Sequence, residues 1–517
     1  MVLRVLLIFS VALVKSALSS NILIACPVPS PSHQIWNYAF AEGLMEKGHN
    51  ITMAGPDARM RKPSDRYHPI VFEDIIVKLM ASKKFDFEGS SDQSVFQSMM
   101  TFYNYVYLTC ELLYESDGFQ QILNYPKDYK FDLIIVDMTL GPCLYPLIQR
   151  FNYPPTIGIT AFLLPPNLSF SFGNYLPQSY LPHYHMNYLQ NMTFSERVMN
   201  FVVANFELAL KYVYEANQIQ KLAYKAFGEG MESVRDLENH ISLLLCNLSP
   251  AFQYPQPITP NIIPVGGLHA RPARKLSQDI QEIMDKSTNG VIIMSLGTNI
   301  RSDKLGKSNI EAILSAFSKL KQTVLWKFES DFDNLPKNVI IRKFLPQNDI
   351  LSHPNTKLFI SHGGGLSTLE TAYHGVPILG IPFFVDQFML MNAMVEKGVG
   401  IKLELSDITT ESLLNTINEL LQNKKYSRNI QEISYRMKDQ LSTPLQTAVF
   451  WAEYAIRHNG THHLSPKSRH LPLFVSTSTD VILFLLLIFA LSLGVLVFSN
   501  RFLYKCLYSK PGKEKLN

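Results

Sequence analysis

Four groups of polar residues stand where this chain could do chemistry. His362-Gly363-Gly364-Gly365 follows an apolar run of strand character, residues 357–361, and leads into a helical pattern that starts near Ser367. Glycines there let the backbone come close to a ligand, and the open N–H groups of a helix start hold anions. Asp386-Gln387 follows a second apolar run, residues 376–383, and offers groups suited to hydroxyls. An anion site at one strand end beside hydroxyl-binding groups at the next suits a diphosphate that carries a sugar. Far upstream, His33 opens an amphipathic segment, residues 34–47, and Asp137 ends the run FDLIIVD. A histidine that takes a proton and a carboxylate that orients its ring make a general-base pair.

Each group also has an ordinary structural use. Ser367 and Glu370 have the spacing of a capping box, Asp386 and Asp137 suit the capping of turns, and His33 suits a first helical turn. Asp331-Phe332-Asp333 tempts a metal-binding reading, but no other ligand stands near it, and it reads as a solvated loop. His462-His463 and His470 read as a polar linker rather than a metal cluster. The cysteines, Cys26, Cys110, Cys143, Cys246 and Cys506, form no CxxC pair. A disulfide among the first four is allowed, with its pairing open.

The elements that must position these groups follow an alternating pattern. A chain of 517 residues is long enough for two domains with separate cores. Residues 1–20 have a charge, a short apolar core and a small-residue exit, which describes a secretory signal. The N-terminal domain, 21–250, starts as strand, helix and strand. It continues through an irregular, aromatic-rich stretch (78–125), partly helical, and the buried strand that ends at Asp137. Residues 160–255, rich in Phe, Tyr, Leu and Pro, suit the wall of an apolar pocket. Prolines cluster over 249–272, and the linker is read as 251–279. The C-terminal domain, 280–460, has a first strand, 291–295, that ends in Ser295-Leu296-Gly297-Thr298, a turn suited to close backbone approach. A late amphipathic segment, 428–457, breaks at Pro444 and is expected to cross back onto the first domain.

Residues 461–480 form a juxtamembrane segment, and residues 481–498 carry no charge and are long enough to span a bilayer. The tail, 499–517, holds Arg501, Lys505, Lys510, Lys513 and Lys515 against Glu514, which accounts for the formal net charge of +4. The rest is near neutral, so nucleic acid is not an implied partner. The basic tail predicts a cytosolic C-terminus and a lumenal N-terminus, and its KxKxx ending fits a dilysine retrieval signal. Sequons at Asn167, Asn191, Asn247 and Asn459 agree with export.

The stretch around the glycine loop resembles the signature of the UDP-glycosyltransferases. Leu345-Pro346-Gln347, His353-Pro354, Ser361-His362-Gly363, Ser367 with Glu370, Gly375-Val376-Pro377 and Asp386-Gln387 all stand in register. The resemblance implies an α/β, GT-B architecture, two Rossmann-like domains facing across a cleft, with a C-terminal transmembrane helix. It implies His33 as catalytic base and Asp137 as its partner. It implies a donor site of Ser295, Gly297, Phe344, Gln347, His362, Gly363, Gly364, Ser367, Glu370, Asp386 and Gln387. UDP-glucose or UDP-glucuronate is then a co-substrate, with no metal or other cofactor, and the acceptor is a small lipophilic hydroxyl compound. An arthropod-like member points to glucose, and self-association or pairing with a relative stays open. Two positions depart from the pattern: Phe344 replaces the Trp that stacks on uracil in many members, and Leu390 replaces a polar Asn. The alternative is a catalytically silent, membrane-anchored carrier.

Overall fold

In the computed structural model, residues 19–508 are described except 57, 59–62, 83–92 and 127. The signal reading (1–18 of it) and the dilysine ending therefore lie outside the described residues. Residues 19–465 and 466–508 belong to two separate compact units.

The first unit holds two all-parallel sheets. β1 (Asn21–Ala25), β2 (Asn50–Gly55), β3 (Tyr67–Val71), β4 (Leu133–Asp137), β5 (Thr156–Thr160), β6 (Ile241–Cys246) and β7 (Ile262–Pro264) make the first, in the order 3-2-1-4-5-6-7. β8 (Val291–Ser295), β9 (Thr323–Lys327), β10 (Val339–Arg342), β11 (Thr356–Ser361), β12 (Ile378–Gly380) and β13 (Gly400–Lys402) make the second, in the order 10-9-8-11-12-13. Central strands such as LIIVD and VIIMS are buried along their whole length, as strands covered on both faces by helices must be. Parallel neighbours need crossover helices, which explains the alternating pattern read in the sequence.

Three expectations change. Residues 78–125 are more regular than their composition suggested: the helices Ile75–Ala81, Val95–Tyr114 and Asp117–Leu123 occupy most of the described part. The apolar run 376–383 pairs over only Ile378–Gly380, because Phe383 and Phe384 already turn toward the next helix. Inside the segment read as linker, Ile262–Pro264 adds the edge strand of the first sheet, with Leu244 opposite Ile262.

The late segment does return. The helix Pro444–Arg457 packs on the helix Pro31–Glu46, and Ala448, Val449, Ala452 and Ala455 join the core of the first sheet. Gly43 permits the approach, since a Cβ there would stand 2.8 Å from Leu445 Cδ1. Cys110 and Cys143 form the disulfide that sequence left unassigned. Asn247 is buried, donating to the Ala161 carbonyl at 2.9 Å and accepting from Gly267 N–H at 3.0 Å, whereas Asn191 and Asn459 are exposed.

The second unit carries the helix Thr479–Tyr508, apolar and long enough to cross a membrane, with its side chains exposed. His470 belongs to this unit and His462-His463 to the first. Among the described residues no three His, Cys, Asp or Glu side chains converge as metal ligands, Asp331 and Asp333 included.

Candidate active site

Strand order reverses at one point in each sheet, between β1 and β4 in the first and between β8 and β11 in the second. At such a reversal the loops leave in opposite directions and open a crevice at the carboxyl ends of the strands. Both halves of the candidate site sit there. Ser30 Oγ donates to Asn299 Oδ1 at 3.1 Å, so the two crevices meet.

At the first crevice, His33 is the third residue of the helix Pro31–Glu46, which begins three residues before the amphipathic pattern suggested because Pro31 suits a first helical turn. Asp137 is the last residue of β4 and is wholly buried. His33 Nδ1 lies 3.6 Å from Asp137 Oδ2, an ion-pair separation, and forms no hydrogen bond. Asp137 is held by other donors: Asn37 Nδ2 at 2.8 Å and Thr139 N–H at 3.0 Å. Burial alone would raise its carboxyl, but the neighbouring His33, Thr139 and Asn37 outweigh that and hold it below the usual carboxylate range. Asn37 stands four residues after His33 on the same helix, so helical spacing could have flagged it.

At the second crevice, Ser295 ends β8 and its Oγ accepts from Gly297 N–H at 3.4 Å. His362 follows β11 and its ring is seated between two glycines. A Cβ on Gly297 would stand 2.6 Å from His362 Cε1, and one on Gly364 would stand 2.9 Å from the same atom. Gly363 has a left-handed backbone, φ +79°, and Met391 leaves no space for a Cβ there. Burial, assisted by the Lys327 charge, pushes His362 down to about 4. The ring is thus neutral near pH 7 and offers a single N–H rather than a full charge.

The capping box does not form. The helix spans Gly365–His374 with Gly364 at its N-cap, so no side chain covers its first N–H groups. Ser367 and Glu370 fall inside the helix, where Gln347 bridges them: its Nε2 donates to Ser367 Oγ at 3.1 Å and to Glu370 Oε2 at 2.6 Å. A glycine cap leaves the anion-binding end open, which a serine cap would have blocked. Burial raises the Glu370 carboxyl to about 7. Phe344, in the loop after β10, is 74% exposed and presents its ring to solvent.

Asp386 occupies the N-cap position of the helix Gln387–Glu396 but makes no side-chain cap bond, so the plain capping use is not realised. Burial raises it to about 7, against smaller lowering pulls from its backbone N–H and from His33. Val385 just before it has φ 55°, a strained setting for a β-branched residue and one that clusters at functional sites. Gln387 turns its amide oxygen back to accept from Phe383 N–H at 2.8 Å. Leu390 faces an apolar cavity shared with Leu163, Phe170, Tyr184 and Leu208 of the first half.

Two facing Rossmann-like sheets with an open helix start at one switch point and a His–Asp pair at the other define a GT-B glycosyltransferase fold. Solved structures agree. The glycosyltransferase VinC, solved in complex with DTDP, matches with a TM-score of 0.55 at 15% identity, covering 84% of this chain and 99% of that one. The glycotransferase of kitacinnamycin matches with a TM-score of 0.54 at 16% identity, covering 85% and 99%. The family profile described as "UDP-glucoronosyl and UDP-glucosyl transferase" matches residues 33–514, and the chain belongs to that family. Relatives include UDP-glucosyltransferase 2 of Dactylopius coccus, 33% identical over 99% of both chains. Human UDP-glucuronosyltransferase 1A6 is 30% identical over 88% of this chain and 86% of its own. The chain is a UDP-glycosyltransferase.

Proposed function

We propose that this enzyme transfers glucose from UDP-glucose, with inversion, to a hydroxyl of a small lipophilic acceptor in conjugation or detoxification. The observation that carries the reading is that the loops of the two crevices meet at Ser30 and Asn299, with the His33–Asp137 pair on one side and the uncapped start of the helix Gly365–His374 on the other. The acceptor hydroxyl gives its proton to His33, whose ring Asp137 orients. Its oxygen forms a bond to the anomeric carbon as the bond to the UDP oxygen breaks on the opposite face. His362 N–H and the open start of the helix Gly365–His374 meet the charge developing on the diphosphate, so no metal is assigned a role.

In this reading Phe344 stacks on uracil, Glu370 accepts from the ribose hydroxyls, and Asp386 with Gln387 contacts the sugar. Ser295, Gly297, Gly363, Gly364, Ser367 and Gln347 shape the nucleotide seat. The apolar helix anchors the enzyme in the endoplasmic reticulum membrane with both sheets lumenal. The test uses the full chain in microsomes with UDP-glucose or UDP-glucuronate and a panel of phenols. Glucoside formation abolished by His33→Ala is expected. Product formation indifferent to that substitution refutes the mechanism, and preference for UDP-glucuronate refutes the donor.

A further inference from the structure

The cavity that Leu390 faces has an unusual support. The helix Phe194–Val213 buries Asn200, Glu207 and Lys211 beside Val203, Ala204 and Leu210, so half of its buried stripe is polar. Glu207 is 1% exposed. A carboxylate in such a position is costly unless it is fully paired, and an apolar residue would fill the space more cheaply. Its two oxygens are both taken: Tyr184 O–H donates to Oε1 at 2.5 Å, and His183 Nε2 donates to Oε2 at 3.1 Å. His183 Nδ1 accepts from His185 N–H at 3.3 Å, which assigns the ring proton to Nε2. Glu207 therefore fixes two adjacent ring planes, His183 and Tyr184, stacked at 4.6 Å and 28°.

Both rings line the cavity. Tyr184 also continues toward the base: its ring lies 6.4 Å from Phe162, and Phe162 meets His33 edge-on at 5.4 Å. Leu390, four residues after Asp386, lines the same cavity as Tyr184. Tyr184 is thus the residue that links the apolar cavity, by way of Phe162, to His33. An aromatic path that ends at the base suits a flat ring whose hydroxyl points along it, since offset and edge-on contacts reward planar partners.

We propose that Tyr184 contacts the acceptor and selects planar aryl alcohols, with Glu207 as the positioning residue that holds its ring plane. This rests on the acceptor reading proposed above. The experiment uses the full chain in microsomes, saturating UDP-glucose and two acceptors with one carbon skeleton, 1-naphthol and decahydro-1-naphthol. The expected result is a KM for the flat alcohol about tenfold below that for the saturated one. Tyr184→Leu should erase that ratio while leaving the KM for UDP-glucose unchanged. Tyr184→Phe, which keeps the ring and removes only the tether, should give a partial loss matched by Glu207→Gln. UDP binding by calorimetry reports whether each variant is folded. Turnover by the wild type with a KM ratio that Tyr184→Phe and Tyr184→Leu leave intact overturns this inference alone. Failure of the wild type to glycosylate either alcohol overturns the acceptor reading and this inference with it.

Discussion

Gly364→Ala isolates the placement of the His362 ring. The backbone of Gly364, φ −65° and ψ 156°, is one that any residue adopts, so alanine brings no backbone strain. The new methyl would instead stand 2.9 Å from His362 Cε1 and 3.1 Å from Cδ2, closer than carbon atoms tolerate, and Gly297 closes the ring in on its other side. The ring must therefore leave its seat. Removing one preorganised donor from a developing anion costs about 10²–10³ in rate, so kcat should fall about 10²-fold. The helix should lose only about 1 kcal/mol from having alanine at its N-cap. The assay is UDP release with a phenol acceptor, run on Gly364→Ala, His362→Ala and the double variant. If the glycine acts through the ring, the double variant should be no slower than His362→Ala, a non-additive cycle. Additive losses, or a single variant that keeps wild-type kcat, would refute the argument that Gly364 exists to seat His362.

Four further outcomes follow from the same geometry. Asp137→Asn should keep the fold, since Thr139 N–H can still bond to the amide oxygen and Asn37, whose Oδ1 is buried without a partner, can turn to accept from the amide nitrogen, yet lose roughly 10²–10⁴ in kcat through the orientation of His33; equal loss of UDP affinity would contradict that division of labour. Glu370 and Asp386, both raised to about 7 by burial, contribute stability fully below the ordinary carboxylate range and lose it as pH rises through about 7. The melting temperature of the ligand-free enzyme should therefore drop between pH 5 and 8, and Glu370→Gln with Asp386→Asn should flatten the drop; an unchanged slope counts against it. Reduction of Cys110–Cys143, 33 residues apart, should cost about 3–4 kcal/mol by loop entropy, read as a lower unfolding midpoint in dithiothreitol. Val385→Gly should raise stability by about 1 kcal/mol by relieving the φ 55° strain, while the sugar KM rises as Asp386 loosens; a destabilised variant would show the strain is imaginary.

The two crevices were legible in the sequence because their signals are local. A strand, a glycine loop and a helix follow one another within twenty residues at His362, and FDLIIVD announces both β4 and the carboxylate at its carboxyl end. What escaped was set by packing. Nothing in the order of residues 364–370 distinguishes a serine-capped helix from one capped by Gly364; the outcome turns on Gln347, which approaches from another loop and occupies Ser367 and Glu370. The β7 strand was hidden among prolines, because three residues at a sheet edge need little strand character when Cys246 and Leu244 supply the ladder. Glu207 carries no signal in the sequence, because only the fold brings Tyr184 and His183 onto its carboxylate.

The return of Pro444–Arg457 to the helix that carries His33 has a consequence for biosynthesis. Nearly two hundred residues separate Pro264, the last of the first sheet, from Arg457. At roughly 5–20 residues per second, the first sheet waits about ten to forty seconds for the helix that completes its core. During that wait the surface around Trp36, Phe40 and Leu44 lacks Ala448, Val449 and Ala452. Only 22 residues after Arg457 the apolar helix begins at Thr479, so the half that carries His33 is finished just as the chain reaches that helix. A nascent chain that stalls before residue 444 would present an unfinished first sheet to the quality-control machinery.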